Sequence, residues 1–148
     1  MTKPVVIVGA LDTKGEEFRF VRDLIAARKL ETVLVDFGVM GDPPIVPDIP
    51  AEAVAKAGGY SLAALRAGGD KALAMETMAA GLERVVKDLH AQGRLGGILG
   101  MAGSGGTAIA TRAMRALPIG VPKVMASTVA GGDVSAFTGT VDITMMPT

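Results

Sequence analysis

The chain has 148 residues, no Cys and one His, and its 15 Lys and Arg balance its 15 Asp and Glu. Without thiols it forms no disulfide scaffold and no thiolate zinc site, and the single His90 makes a His-rich metal centre within one chain impossible. Zero net charge argues against a basic nucleic-acid surface and against a polybasic membrane anchor. At this length we expect one α/β domain over residues 1–148.

The ends of the chain suggest where the protein works and what it belongs to. No apolar run is long enough for a transmembrane helix, and the first residues lead into a strand-like segment without a signal-peptide core. We therefore expect a cytoplasmic protein that contacts neither membranes nor nucleic acid. The chain stops just after an apolar, strand-like run. A parallel strand normally continues into a connection, so we expect the N-terminal part of a longer, two-domain protein.

Hydrophobic periodicity and turn residues divide the chain into alternating strands and helices. The predicted strands are short apolar runs at residues 5–9, 32–37, 95–101, 123–127 and 141–146. The predicted helices lie at residues 14–28, 51–58, 70–92 and 107–117. Asp12 or Thr13 is expected to cap the first helix, Gly93 ends the long third helix, and residues 38–50 form an irregular loop. Residues 130–135 are predicted as a loop or a short helix.

This alternation predicts the architecture of the sheet. Strands separated by helices favour a mostly parallel, doubly wound five-stranded α/β sheet with helices on both faces and right-handed crossovers. By analogy with other doubly wound sheets, we expect the strand order 2-1-3-4-5.

The long helix at residues 70–92 has more apolar positions than one buried stripe needs: Leu73, Met75, Met78, Leu82, Val85, Val86 and Leu89. Burial against a second subunit or a further domain accounts for that excess, so we expect a homodimer or a higher oligomer. Burial against the chain's own sheet is the alternative.

The sharpest chemical feature is the sequence GMAGSGGT at residues 100–107, between a strand and a helix. Free N–H groups and the helix dipole favour an anion there, and glycine lets the backbone approach a phosphate closely. The residues predicted to bind a phosphate or carboxylate are Gly103, Ser104, Gly105, Gly106 and Thr107. The spacing partly matches a P-loop, except that a glycine stands where the lysine belongs. A tight turn that packs the helix against its strand is the alternative.

The loop after the first strand is the second candidate region, because ligands bind at the carboxyl ends of open α/β sheets. Asp12, Thr13 and Lys14 lie there. Lys14 is predicted to supply the charge that Gly106 lacks, and Asp12 to orient Thr13 or to hold a metal-bound water. Ordinary helix capping explains Asp12 equally well.

The ends of two further strands complete the predicted site. After the fourth strand the candidates are Ser127, Thr128, Gly131 and Gly132, for which ordinary turn chemistry is the alternative. Asp36 ends the second strand, where dinucleotide folds place the acid that binds ribose. The first strand lacks the GxGxxG pattern, so we do not expect NAD.

These stretches resemble a known family. GALDTK at residues 9–14, GILGMAGSGGT at 97–107, LPIGVPKVMASTV at 117–129 and GTVD at 139–142 are similar to one group of domains. This group is the N-terminal ATP-binding domain of the tomato mosaic virus resistance protein and its uncharacterised bacterial and fungal relatives. The resemblance implies a Rossmann-like α/β domain that binds ATP, often forms dimers and precedes a C-terminal domain. In the plant protein it implies a part in inhibiting viral replication.

Three functions stay open at this point. The first is a nucleotide-binding module, with ATP phosphates on the Gly-rich loop and Mg²⁺ arriving with the nucleotide. The second is an enzyme that acts on a phosphorylated or carboxylated metabolite together with the C-terminal domain, although Asp12, Asp133 and His90 are equally ambiguous as a general base. The third is a dimerisation or scaffold module in which the Gly-rich turn is only structural.

Overall fold

Five parallel strands form the sheet of the computed structural model, which describes residues 2–148. The strands are β1 (Val5–Gly9), β2 (Thr32–Asp36), β3 (Gly97–Ala102), β4 (Lys123–Ser127) and β5 (Thr144–Pro147). Their order is β2-β1-β3-β4-β5, and every neighbouring pair is parallel. The predicted strand order is therefore confirmed, and the carboxyl ends of all five strands lie at one edge of the sheet.

Helices cover both faces of this sheet, as the doubly wound prediction requires. They are α1 (Leu11–Ala27), α2 (Ala51–Ala57), α3 (Leu62–Gly68), α4 (Lys71–Ala91), α5 (Ser104–Arg115) and α6 (Ser135–Thr138). On one face, the buried Phe18 of α1 packs in a cluster with Ile7 and Leu34. The ring of Phe18 lies directly over Gly9, where any Cβ would overlap it. Helices α2 to α5 pack on the other face and form the larger core.

The start of α1 differs from the prediction. The helix begins at Leu11 rather than Lys14, and its N-cap residue Ala10 makes no side-chain hydrogen bond. Neither Asp12 nor Thr13 caps it, so the capping prediction is wrong. At Lys14 the backbone leaves helical geometry (φ −131°, ψ 28°), so the first turn and the rest of α1 are two joined pieces. The carboxylate of Asp12 is used elsewhere, as described below.

Other elements also differ from the prediction. Strand β3 lies at Gly97–Ala102 rather than 95–101, the short helix α6 at Ser135–Thr138 rather than within 130–135, and the ends of β2, α2 and α4 differ by one residue. Helix α3 was not predicted, because glycine pairs flank it; Ser61 caps it by accepting a hydrogen bond from the N–H of Ala64 at 3.1 Å. Helix α5 begins at Ser104 rather than Thr107, so two of the loop glycines belong to its first turn. Strand β5 begins at Thr144 rather than Val141.

The segment before β5 is held by an ion pair between a buried lysine and an exposed aspartate at the amino edge of the sheet. The Lys123 side chain is fully buried, and its Nζ donates to the carbonyls of Pro118 and Val121 and to Asp142 Oδ1, each at 2.8 Å. The other carboxylate oxygen of Asp142 accepts the N–H of Gly120 at 2.9 Å. The aspartate of the GTVD stretch therefore joins the turn before β4 to the segment that leads into β5.

Candidate functional site

A cleft of about 570 Å³ opens at the carboxyl edge of the sheet. Its walls come from the start of α1, the loop after β2, helix α3, the first half of α4 and the first turn of α5. Strands β1 and β3 are neighbours, but the chain leaves β1 through α1 toward β2 and leaves β3 through α5 toward β4, on opposite sides. This is the switch point of a doubly wound sheet, where ligands bind. The cleft is therefore the first place to look for function.

The lining of the cleft is mostly apolar. Phe37 and Met78 are almost completely buried at its base. Met40 and Met75 also line it but keep 81% and 41% of their surface exposed. An apolar cleft with a few polar groups at its rim is the usual form of a small-molecule site.

The Gly-rich loop forms one end of the cleft as the first turn of α5. No side chain caps this helix, whose N-cap residue is Gly103. The first N–H to close a helical bond is that of Thr107, which donates to the carbonyl of Gly103 at 2.9 Å. The three N–H groups before it, on Ser104, Gly105 and Gly106, are the ones a helix leaves for an outside acceptor. This turn therefore offers three donors and a positive dipole end to an anion.

Two neighbouring glycines of this turn have different surroundings. A Cβ on Gly105 would meet only the Cε of Met75, at an ordinary contact distance of 3.5 Å. A Cβ on Gly106 would lie 2.6 Å from the Cβ of Ala102, which is too close. Gly106 is therefore needed to pack α5 against β3, which agrees with the tight turn considered as the alternative to an anion site. Gly105, in contrast, borders open space in the cleft.

Thr107 and Ser127 are brought together, as predicted, but with each other rather than facing the cleft. Both are buried, and their hydroxyl oxygens lie 2.7 Å apart. Thr107 Oγ1 donates to the carbonyl of Gly103 at 2.6 Å, so Ser127 is the donor between the two hydroxyls. The other candidates after β4, Thr128, Gly131 and Gly132, are exposed and do not line the cleft.

Asp12 lines the cleft and fixes the loop after β2. Its Oδ2 accepts the N–H groups of Met40 at 3.0 Å and Gly41 at 3.1 Å. Arg66 of α3 holds the same loop from its other side by donating to the carbonyls of Val39 at 2.6 Å and Gly41 at 3.0 Å. Asp12 Oδ1 is buried and has no hydrogen-bond partner among residues 2–148. Oδ2 of this carboxylate therefore holds the loop after β2 in place, whereas Oδ1 makes no hydrogen bond with residues 2–148.

Asp36 links the loops after β1 and β2. Its Oδ1 accepts the N–H of Leu11 at 3.0 Å and that of Gly38 at 2.8 Å, and its side chain is buried. Burial raises the pKa of Asp36 above its ordinary value; the two hydrogen bonds oppose this rise and the charge of Asp12 adds to it. The residue does not line the cleft. It occupies the position of a ribose-binding acid, but its Oδ1 already holds the two loops together.

The cationic side chains that line the cleft are not among the predicted site residues. Lys14 lies at the kink of α1 and is not part of the lining. Arg66 and Lys71 are the positively charged side chains that do line the cleft. Lys71, the first residue of α4, forms no ion pair with any of residues 2–148. Asp70, which caps α4 through the N–H of Leu73 at 3.0 Å, was the sequence signal that placed Lys71 at a helix start.

The described residues were compared with the requirements of a metal site and of a membrane-spanning helix. Among residues 2–148, no three His, Asp or Glu side chains lie close enough to hold a metal ion by themselves. In the same part of the chain, no helix combines the length and the apolar character needed to cross a bilayer.

Residues 3–148 match the N-terminal domain of UPF0261, an uncharacterised protein family. The chain belongs to this family. A UPF0261 protein of Clostridium tetani is 47% identical over 146 residues, which are 99% of this chain and 36% of the relative. A UPF0261 protein of Rhizobium meliloti is 41% identical over 145 residues, 98% of this chain and 35% of the relative. The predicted family resemblance is thereby confirmed.

The UPF0261 match also reaches a plant protein. The ToMV resistance protein Tm-1 of Solanum lycopersicum is 40% identical over 77 residues, which are 52% of this chain and 10% of the tomato protein. The chain spans about a third of the length of its two bacterial relatives. Those UPF0261 proteins therefore contain sequence beyond the part matched here.

Proposed function

We propose that this UPF0261 domain binds a nucleotide, ATP, in the cleft at the carboxyl edge of the sheet. The phosphates lie on the first turn of α5, and Mg²⁺ arrives with them. The observation that carries the proposal is the uncapped start of α5, where three N–H donors precede the first helical bond and two of their residues line the cleft. Such a helix end favours phosphate through both its donors and its dipole.

The other predicted residues take different parts in this proposal. Asp12 and Thr13 line the cleft, because β1 and β3 are neighbours. Lys14 lies outside the lining and is the alternative source of positive charge from α1. Mg²⁺ binds one or two carboxylates together with phosphate oxygens, and Asp12 is a carboxylate of the lining. Thr107 and Ser127 hold the two loop ends together through their shared hydrogen bond. Thr128, Gly131 and Gly132 do not line the cleft and take no part in this proposal.

Isothermal titration calorimetry with ATP, with and without Mg²⁺, tests the proposal directly. We expect micromolar binding of ATP, strengthened by Mg²⁺, and no comparable binding of NAD; inorganic phosphate serves as the second reference. The absence of any heat with ATP contradicts the proposed function.

Gly105→Ala tests where the phosphates lie. The added methyl group fits, because only Met75 Cε lies near it, at 3.5 Å. Alanine also stabilises a helix by about 0.5–1 kcal/mol relative to glycine, so the variant stays folded. Its methyl group nevertheless takes space in front of the free N–H groups, and we expect ATP to bind roughly tenfold more weakly, about 1.4 kcal/mol.

The matched control for this variant is Gly68→Ala, at the end of α3, where a Cβ meets nothing within 4 Å. It changes the same atoms outside the cleft lining and should leave ATP affinity as it is. If Gly105→Ala and Gly68→Ala both bind ATP with wild-type affinity, the phosphates do not lie on α5.

Several expectations from the sequence remain predictions. A homodimer is still expected from α4, whose Leu73 and Met75 keep 36% and 41% of their surface exposed. A C-terminal domain and a cytoplasmic location are expected as well. The alternative of an enzyme acting on a phosphorylated metabolite shares the same anion site, and sustained phosphate release by a full-length family member would favour it.

A further inference from the structure

The first half of α4 forms the wall of the cleft that faces α5. Lys71, Met75 and Met78 line this wall. Residues four apart on a helix share a face, so Lys71 and Met75 lie one above the other. The Cε of Met75 is 3.5 Å from the position of a Cβ on Gly105. Lys71 therefore lies one helical turn from Met75, whose side chain faces the first turn of α5.

The charge of Lys71 has no use within the described fold. Residues 2–148 give it no ion-pair partner, although it lines the cleft. A cation at the first position of a helix is also placed unfavourably, because the helix N-terminus is itself positive. The start of α4 is capped by the carboxylate of Asp70, which also lines the cleft. The uncapped first turn of α5 and the ammonium group of Lys71 are the two groups of this part of the cleft that favour an anion.

Met75 is one of the exposed apolar residues in the first turns of α4. Along the same helix, Met78 and Leu82 are completely buried, whereas Met75 keeps 41% of its surface exposed toward the cleft. A thioether makes favourable contacts with the edge of an aromatic ring and adapts its shape to it. The chain has only five aromatic side chains, four Phe and one Tyr, and Phe37 is the aromatic residue of the cleft lining. Phe37 is almost completely buried, so Met40 and Met75 are the exposed apolar side chains of the lining that can contact a flat base. Of the two, Met75 is the one on the wall that faces α5.

We propose that α4 supplies the side-chain half of the nucleotide site, with Lys71 binding the phosphates and Met75 contacting the base. This inference rests on the proposed function and names the groups that complete it. In this arrangement α5 provides backbone donors, and α4 provides the positive charge that the broken P-loop pattern lacks at Gly106. The base lies against the methionine wall, within reach of the phosphates on α5.

Calorimetry with two ligands separates the two roles. ATP has both a base and phosphates, whereas inorganic tripolyphosphate has only the charged part. We expect Lys71→Ala to weaken both ligands roughly tenfold or more, because it removes a charge-assisted contact. We expect Met75→Ala to weaken ATP by about threefold to tenfold through lost ring contact and to leave tripolyphosphate unchanged.

One lysine variant serves as the control, and a second tests the competing source of charge. Lys87→Ala removes an exposed lysine of the same helix outside the cleft lining and should bind both ligands like the wild type. Lys14→Ala compares α1 with α4 as the source of charge. A thermal melt of each variant confirms that it is folded.

The outcomes are distinguishable. If the wild type binds neither ligand, the proposed function itself fails. If the wild type binds ATP and both α4 variants match it, the role of α4 is wrong while the proposed function stands. A loss in Lys14→Ala with none in Lys71→Ala assigns the charge to α1 and overturns the inference.

Discussion

The amino edge and the carboxyl edge of the sheet differ in whether their buried charged side chain has an ion-pair partner. At the amino edge, Lys123 is fully buried and meets Asp142, and that hydrogen bond lowers the pKa of the Asp142 carboxyl. At the carboxyl edge, Asp36 is buried near Asp12, and burial raises the pKa of Asp36. Neither of those two carboxylates forms an ion pair with residues 2–148.

The difference shows which edge stabilises the fold and which edge has charged groups without a counter-ion. A buried charge that meets its counter-ion and further hydrogen-bond partners is tolerated, whereas a buried charge without a counter-ion reduces stability. Unmatched carboxylates and perturbed pKa values cluster at functional sites. The carboxyl edge, which contains the cleft, has two carboxylates without an ion-pair partner in residues 2–148, whereas the Asp142 carboxylate of the amino edge is paired with Lys123.

The largest effect is expected when the matched edge is broken. Lys123→Met removes one partner of the ion pair and leaves the carbonyls of Pro118 and Val121 without their donor. We expect the free energy of unfolding to fall by about 3 kcal/mol, measured by urea denaturation, because three charge-assisted hydrogen bonds of a buried group are lost together. Lys87→Met, an exposed lysine on α4, is the control and should change stability by less than about 0.5 kcal/mol. Equal stability of the Lys123 variant and the wild type would mean that the two edges do not differ as described.

An intermediate effect is expected at Asp36. Asp36→Ala leaves the N–H groups of Leu11 and Gly38 without their acceptor. Buried unpaired donors are costly, so we expect a loss of about 2 kcal/mol in urea denaturation. Asp36→Asn keeps an oxygen acceptor and removes the charge, and it should be as stable as the wild type or more so at neutral pH. An asparagine variant as unstable as the alanine variant would show that the charge itself is required.

The pH dependence of the asparagine variant sharpens this test. The pKa of Asp36 is higher in the folded chain than its ordinary value of 3.8. Between those two values the folded state binds more protons than the unfolded state, so the contribution of Asp36 to stability falls as pH rises. Relative to the wild type, Asp36→Asn should therefore gain stability from pH 3.8 upward and level off above the folded pKa. A constant difference across this range would contradict the raised pKa.

The smallest effect is expected at Asp12. Asp12→Asn keeps one oxygen to accept the N–H groups of Met40 and Gly41 and removes the charge that acts on Asp36. It also replaces the buried oxygen that has no partner in residues 2–148 with a donor. We expect thermal denaturation to show a gain of less than about 1 kcal/mol. A clear loss of stability instead would show that the loop after β2 needs a charged acceptor.

The sequence was a good guide to the sheet because strands β1 to β4 are largely buried, whereas the edge strand β5 is mostly exposed. Buried strands are continuous apolar runs, and β1 and β4 have the predicted bounds. The helix starts were less accurate. Asp12 looks like a cap in the sequence, but its carboxylate bonds to a loop near residue 40 that only the folded chain brings close. A local pattern cannot distinguish these two uses of the same side chain.

The candidate site was predictable in the same partial way. The Gly-rich segment identified the start of α5 and its free donors. The difference between Gly105 and Gly106 depends on Ala102, Met75 and the packing of α5, so no spacing rule reveals it. Arg66 and Lys71 were missed because their relation to the cleft comes from the packing of α3 and α4 around the loop after β2.

The pairing of β1 with β3 constrains the order in which the molecule folds. These strands lie side by side, although the chain leaves β1 at Gly9 and reaches β3 only at Gly97. Closing so long a loop has an entropic cost that comes before its contacts form, whereas β1, α1 and β2 are close in sequence and can assemble early. The cleft needs the loop after β1 and the start of α5 together, so it exists only once that long loop has closed. Any ligand of the cleft therefore binds the completed fold alone and stabilises it against partly folded forms.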